Sequence, residues 1–104
     1  MTRAIRALSI ALAVLFAVGA PAAWAQDTVK VGVIEPLSGP VAASGNYVRM
    51  GAEIARDWIN GKGGVLGRKI ELLIEDNKSD PKEAATAAEK LIVRDKVPVI
   101  IGAW

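Results

Sequence analysis

The chain has 104 residues, with 13 Lys and Arg against 11 Asp and Glu, and it contains neither cysteine nor histidine. Without cysteine it forms no disulfide and offers no thiolate metal site or cysteine nucleophile. Without histidine it lacks the usual general base and the usual metal ligand. Nucleic-acid binding requires clustered basic residues, and no such cluster is present, so we expect no nucleic-acid partner.

The first 25 residues have the pattern of a cleaved secretory signal peptide. Arg3 and Arg6 precede an apolar run over residues 7–20, and the small residues of Ala23-Trp24-Ala25 suit a signal peptidase. A transmembrane anchor is the alternative, but spanning a bilayer takes about 20 apolar residues, which is longer than this run. We therefore expect cleavage after Ala25, a periplasmic location and no stable membrane insertion of the mature chain.

The first mature elements are a predicted strand, a loop and a helix. β-Branched residues dominate residues 29–34 and favour a strand, which runs into the loop of residues 35–40. We expect the helix to begin near Gly45 or Asn46 and to end at Asn60-Gly61, since both residues tolerate a left-handed C-cap. Apolar and small residues at helical spacing make it an amphipathic surface helix; they are Val48, Ala52, Ala55 and Ile59.

A second strand, a second helix and a third strand follow. The glycine-rich residues 61–67 are interpreted as a structural turn, and the alternating residues 68–76 predict a strand near a sheet edge. Asp80-Pro81, with Glu83, is typical of a helix start, and we expect this helix to end near Asp95 or Lys96. Pro98 opens the apolar strand of residues 99–101, which we expect to be covered on both faces.

The order β-α-β-α-β with short connections predicts an α/β fold with a Rossmann-like parallel sheet and right-handed crossovers. Ligands of such sheets bind outside the carboxyl ends of the strands, so we expect a pocket to start at the loop after the first strand. The final residues 99–104 are a buried-type strand followed by the first residues of a loop, with nothing to cover the strand. We therefore expect the chain to be the N-terminal fragment of a longer protein.

Few residues offer catalytic or cofactor chemistry. Glu75-Asp76 follows the second strand where dinucleotide folds place a ribose-binding acid, but the preceding loop has only Gly39 and Gly45 instead of the required three-glycine pattern. We interpret Glu75-Asp76 as a solvated strand end. Ser38 lacks the flanking glycines of a nucleophile elbow. We expect no catalytic residue, cofactor or metal here, and an exported hydrolase or dehydrogenase whose catalytic groups lie elsewhere is the enzyme alternative.

Several short motifs follow one another along residues 26–104. They are Gly32-Val33-Ile34, Pro36-Leu37-Ser38-Gly39-Pro40, Gly51-Ala52, Ile59-Asn60, Gly63-Gly64-Val65-Leu66-Gly67-Arg68 and Asp80-Pro81. In order and spacing they resemble the N-terminal lobe of the leucine/isoleucine/valine-binding type of periplasmic binding protein. The resemblance implies two α/β lobes that close around a small polar solute, of which this chain holds the first part of one.

The resemblance also implies which residues line this half of the pocket. Ser44 matches a position where some members place an aromatic that touches the ligand, and Trp104 matches a pocket-lining position. The loop after the first strand and the start of the helix supply the others. The candidate ligand-binding residues are Ser38, Gly39, Ser44, Gly45, Asn46, Tyr47 and Trp104.

The implied function is the solute-binding component of an ABC importer, with an inner-membrane ABC permease as partner. Its ligand is expected to be a branched-chain amino acid, another amino acid or an amide. Two alternatives stay open: a ligand-sensing periplasmic protein that reports to a membrane receptor, and a truncated product with no function.

Overall fold

The computed structural model describes residues 28–102, and the predicted signal peptide lies outside them. In chain order the described elements are β1 (Val29–Glu35), α1 (Ala42–Gly61), β2 (Ile70–Asp76), α2 (Pro81–Glu89), a π-helical turn (Lys90–Arg94) and β3 (Val99–Gly102). No helix within this part of the chain is long and apolar enough to cross a membrane.

The strands form one parallel sheet in the order β2-β1-β3. The register of β1 with β2 runs from Val29 opposite Ile70 to Glu35 opposite Asp76, and Ile34 lies opposite Gly102 of β3. The predicted α/β class with a Rossmann-like parallel sheet is confirmed, as is the edge position of β2 among the described strands. All three strands end at the same edge of the sheet, which we call the carboxyl edge.

The core lies between the sheet and the layer formed by α2 and the π-helical turn. Ile34 of β1 packs on Ala87 and Leu91, and Leu73, Ala88, Val97 and Ile100 surround them. Gly32 makes room for this layer, because a Cβ atom on it would lie 2.9 Å from Cδ1 of Leu91 and that side chain would have to move. Burial of these side chains from water is the main force that holds the helical layer on the sheet.

Helix α1 begins at Ala42, so the prediction that it begins near Gly45 or Asn46 is wrong. The amide of Gly45 donates to the carbonyl of Val41 at 3.4 Å, which places Gly45 inside the first turn. Gly45 instead allows α1 to pack closely on the loop after β1, since a Cβ atom at this position would lie 2.0 Å from the carbonyl oxygen of Pro36. A glycine at a close contact and a glycine at a helix start look the same in the local sequence pattern, which explains the error.

Helix α1 ends at Gly61 as predicted, but the predicted left-handed C-cap is wrong, because the C-cap is Lys62 with φ −96° and the first positive φ after the helix is that of Gly63. Asn60, at the predicted end of α1, accepts from the amide of Ile70 at 2.7 Å and donates to its carbonyl at 2.9 Å. Asp80 caps α2 by accepting from the amides of Lys82 at 2.7 Å and Glu83 at 3.2 Å. The helical run then continues through the π-helical turn, one residue short of the predicted end.

Strand β3 differs from its prediction. Val99 and Ile101 are exposed, and Ile100 is the half-buried residue that reaches the core, so the expectation of a strand covered on both faces is wrong for the described residues. Helix α1 contacts β1 and β2 and leaves this face of β3 uncovered. Strand β2 begins at Ile70 and not at Arg68, because Arg68 instead pairs with Val65 in an isolated antiparallel bridge.

Candidate functional site

The loop after β1 is held at the carboxyl edge by Asp76, the last residue of β2. Oδ1 of Asp76 accepts from the amides of Leu37 at 2.8 Å and Ser38 at 3.3 Å, and Oδ2 accepts from the hydroxyl of Ser38 at 2.6 Å. Oδ1 also accepts from the amide of Lys78 at 2.8 Å. The Ser38 hydroxyl and these amides lower the pKa of the Asp76 carboxyl, so it is ionised at neutral pH.

The interpretation of Glu75-Asp76 as a solvated strand end missed this role of Asp76. The contact joins residues that are 38 and 39 positions apart in the chain, so no local pattern reveals it. The predicted topology could have revealed it, because an acid at the end of β2 must lie beside the end of β1 when the two strands are parallel neighbours. Asp76 is therefore a residue that positions the loop.

The loop after β2 locks onto the loop after β1 from the other side. The hydroxyl of Ser79 donates to the carbonyl of Ser38 at 2.9 Å. Gly39 has a positive φ of 85°, and a Cβ atom on it would lie 2.7 Å from Oγ of Ser79. The buried side chain of Asn77 accepts from the amide of Ser79 at 2.9 Å. Gly39 is thus selected both by its backbone conformation and by the closeness of the second loop.

Asn46 connects this loop to α1. Its side-chain amide donates to the carbonyl of Leu37 at 3.3 Å and to that of Ala42 at 2.8 Å. Ser44 is engaged locally, with its hydroxyl donating to the carbonyl of Val41 at 3.0 Å. The start of α1 has no side-chain cap, so the helix end that favours an anion lies at Val41 and the first turn after it, beside the pinned loop.

The structure therefore brings together most, but not all, of the predicted site residues. Ser38, Gly39 and Asn46 belong to the loop and its supports, and Gly45 is buried where α1 crosses Pro36. Tyr47 is exposed on the outward side of α1, one helical step away from Asn46. Trp104 lies outside the described residues.

A buried carboxyl group ends β1 at the same edge. Glu35 is 1% exposed, and its Oε2 has no hydrogen-bond partner among the described residues. Burial raises the pKa of this carboxyl. A Cβ atom on Gly102, at the end of β3, would lie 2.7 Å from Oε1 of Glu35, so the acid reaches the point where β3 runs into its own loop. Sequence reasoning did not identify Glu35, although an acid at the end of a buried strand is an unusual choice.

The chemistry of this edge is that of binding. Its polar groups include hydroxyls, main-chain groups, the side-chain amides of Asn46 and Asn77, and two carboxyls, one with a raised and one with a lowered pKa. The residues that the structure describes hold no cluster of acidic side chains suited to a metal ion. The Ser38 hydroxyl is paired with the Asp76 carboxylate, but the lowered pKa of that carboxyl makes it a poor base for activating a nucleophile. The arrangement suits a polar molecule that is held by hydrogen bonds to a rigid loop.

Comparison with known proteins places the chain in a family. Residues 28–104 match the family model described as periplasmic binding protein. The Leu/Ile/Val-binding protein BraC3 of Rhizobium johnstonii is 44% identical over 78 residues, which cover 75% of this chain and 21% of that protein. The chain thus spans about a fifth of the length of this curated relative.

Solved structures agree with this match. The branched-chain amino acid transporter substrate-binding protein LivJ from Streptococcus pneumoniae, in complex with isoleucine, has a TM-score of 0.73 and 39% identity over 74% of this chain and 22% of its own. A solute-binding protein of an ABC transporter from Rhodopseudomonas palustris, in complex with 3,4-dihydroxybenzoic acid, has a TM-score of 0.63 and 37% identity over 72% and 20%.

Proposed function

Since the chain belongs to the periplasmic binding protein family, we propose that it is part of a solute receptor, which captures a small polar molecule in the periplasm and delivers it to an inner-membrane ABC permease. The observation that carries the proposal is the loop of residues 36–41, which Asp76 pins at the carboxyl edge of the sheet. Ligands of open α/β sheets bind at this edge. A pre-formed loop also binds at lower entropic cost than a mobile one.

The proposed ligand is a branched-chain amino acid, another amino acid or an amide. The names of the relatives and the isoleucine complex support this class. On this chain, the oxygen of Ser38 keeps lone pairs that accept from a ligand N–H group, because its own proton is used by Asp76. The start of α1 beside the loop favours a ligand carboxylate. Ser44 is small and leaves room for a larger ligand side chain.

The proposed mechanism is closure of two lobes on the ligand. Contacts from both lobes stabilise the closed state relative to the open one, and this difference in affinity drives the closure. The described residues supply the rigid half of such a site, because Asp76, Ser79 and Asn46 each fix the loop through a separate hydrogen bond. A rigid first half lets the ligand bind before closure and lets the second lobe close on it.

A second ligand class is proposed from one observation. The Rhodopseudomonas protein that binds 3,4-dihydroxybenzoic acid is similar to this chain at 37% identity. An aromatic carboxylate shares its anionic group with an amino acid but lacks the ammonium group. The helix start would favour both, so a ligand panel must contain both classes.

The test is calorimetric titration of the full protein, as its gene encodes it, with leucine, isoleucine, valine, glutamine, acetamide and 3,4-dihydroxybenzoate. We expect saturable binding of at least one of them. Ser38→Ala should weaken that binding roughly tenfold, because one net hydrogen bond is worth about 1 kcal/mol and the loop also loses a tie to Asp76.

Thr28→Ala is the matched control. Thr28 also donates its hydroxyl to a carboxylate, that of Glu71 at 2.7 Å, but at the opposite end of the sheet. It should leave affinity unchanged. Absence of binding across the panel, or equal losses in the two variants, would contradict the proposal. If binding is present but solute uptake does not depend on the neighbouring permease, the sensor alternative is favoured.

A further inference from the structure

The outward side of α1 carries large apolar side chains where a surface helix normally carries polar ones. Tyr47 is 73% exposed, Met50 48%, Ile54 67% and Trp58 63%. With Gly51 they lie on one side of the helix at steps of three and four residues, and we call these five residues the outer stripe. The side toward the sheet instead uses residues such as Gly45, Ala52 and Ile59.

Single exposed apolar residues are ordinary, but a contiguous row of them indicates an interaction surface. The outer stripe carries no charge. The charged residues of α1 lie beside it and pair within the helix, Arg49 with Glu53 at 2.8 Å and Arg56 with Asp57 at 2.9 Å. Lys62, just after the helix, holds its ammonium 3.9 Å from the centroid of the Trp58 ring, so a partner that covers the stripe meets this charge at its C-terminal end.

The pattern of large and small residues in the stripe complements itself. A two-fold axis perpendicular to α1 between residues 52 and 53 places Gly51 opposite Ile54 of a second copy, and Tyr47 opposite Trp58. No atom lies within 4 Å of the position that a Cβ atom on Gly51 would occupy, so the site opposite Ile54 is open. A large side chain opposite an open glycine is how helices pack closely, and a two-fold interface requires such matching of a surface with itself.

The area is sufficient for a weak dimer. A Tyr or Trp side chain offers about 150–250 Å², so the exposed parts of the stripe amount to roughly 500–600 Å² per copy. Two copies would bury about 1,000–1,200 Å², which is the lower end of the range for specific interfaces. We propose that the outer stripe of α1 packs antiparallel against the outer stripe of a second copy of this protein. This inference is independent of which solute the protein binds.

The test uses the absence of cysteine from the chain. Gly51→Cys introduces one thiol next to the proposed axis, in open space, and Glu89→Cys introduces one at an exposed position of α2, across the sheet. With the full protein at low micromolar concentration and a mild oxidant, we expect Gly51→Cys to form disulfide-linked dimers at least tenfold faster than Glu89→Cys. Equal rates would overturn the proposal.

Sedimentation equilibrium of the uncross-linked protein gives the second readout. The wild type should show a monomer–dimer equilibrium, and Ile54→Glu should be monomeric with an unchanged unfolding midpoint and unchanged solute affinity. A wild type that stays monomeric at about 100 µM would overturn the proposal. So would an Ile54→Glu protein that unfolds, because the stripe would then be covered by the protein's own chain. Failure of solute binding alone leaves both readouts intact and would count against the proposed function only.

Discussion

Replacing Asp76 by Asn tests the contact that positions the loop. The oxygen of the new amide can still accept from the amides of Leu37, Ser38 and Lys78, and the Ser38 hydroxyl can turn to accept from the new NH₂ group. The number of hydrogen bonds is kept, but their charge is lost. A hydrogen bond to a charged group is worth about 1.5–3 kcal/mol and a neutral one about 0.5–1.5 kcal/mol.

The expected loss is smaller than the sum over all four bonds, because Asp76 is partly exposed and water screens its charge. We expect Asp76→Asn to cost about 1–2 kcal/mol in the free energy of opening the loop at pH 7. The pKa of Asp76 lies below its ordinary 3.8, so this stabilisation is fully present above about pH 4 and is lost as the pH falls through the lowered value. The wild type and the variant should therefore converge in acid.

The assay is native-state hydrogen exchange at the amides of Leu37 and Ser38, which reports opening of the loop itself. Exchange there should be roughly 5- to 30-fold faster in Asp76→Asn at pH 7, which corresponds to the expected free energy. Asp57→Asn is the control, since Asp57 is an exposed acid paired with Arg56, and exchange at the loop should not change. Equal protection of the two amides in Asp76→Asn and wild type would refute the reasoning.

Three further substitutions give predictions of definite sign. Glu35→Gln should stabilise the protein at pH 8 and have little effect at pH 4. When burial raises the pKa of a carboxyl, the protein loses stability as the pH rises through that pKa. Urea unfolding at the two pH values measures the difference, and a loss of stability at pH 8 would contradict the prediction. Gly45→Ala should lower the free energy of unfolding by about 1–3 kcal/mol, because its Cβ atom would lie 2.0 Å from the carbonyl oxygen of Pro36. Gly51→Ala, in the same helix but in open space, should raise the free energy of unfolding by up to about 1 kcal/mol. Thermal melts in which the melting temperatures of both variants shift in the same direction would disprove the packing argument. Asp80→Ala should cost about 0.5–2 kcal/mol through loss of the α2 cap, and an unchanged urea midpoint would show that the cap contributes nothing.

The order of elements and the parallel sheet could be predicted because each depends on local periodicity and on short connections. The start of α2 was predictable for the same reason, since Asp80, Pro81 and Glu83 lie within one turn. The start of α1 was not. Gly45 is explained by the carbonyl of Pro36, and a contact across a loop has no periodic signature in the sequence.

The location of the candidate site could be predicted from the sequence, but the contacts that hold it in place could not. The sequence placed Ser38 and Gly39 at the carboxyl edge, but their support by Asp76 and Ser79 depends on two strands that are distant in sequence and adjacent in space. Strand β3 shows a limit of composition. Its apolar composition indicates a surface that requires cover, and composition alone does not show which element supplies that cover.

The most direct test of the account is calorimetric titration of the whole protein with leucine, isoleucine, valine, glutamine, acetamide and 3,4-dihydroxybenzoate in turn, for the wild type and Asp76→Asn side by side. If the pinned loop forms half of a solute site, the wild type binds saturably and the variant binds about tenfold more weakly with the same stoichiometry. A wild type that gives no saturable heat, or a variant with the affinity of the wild type, would contradict the account.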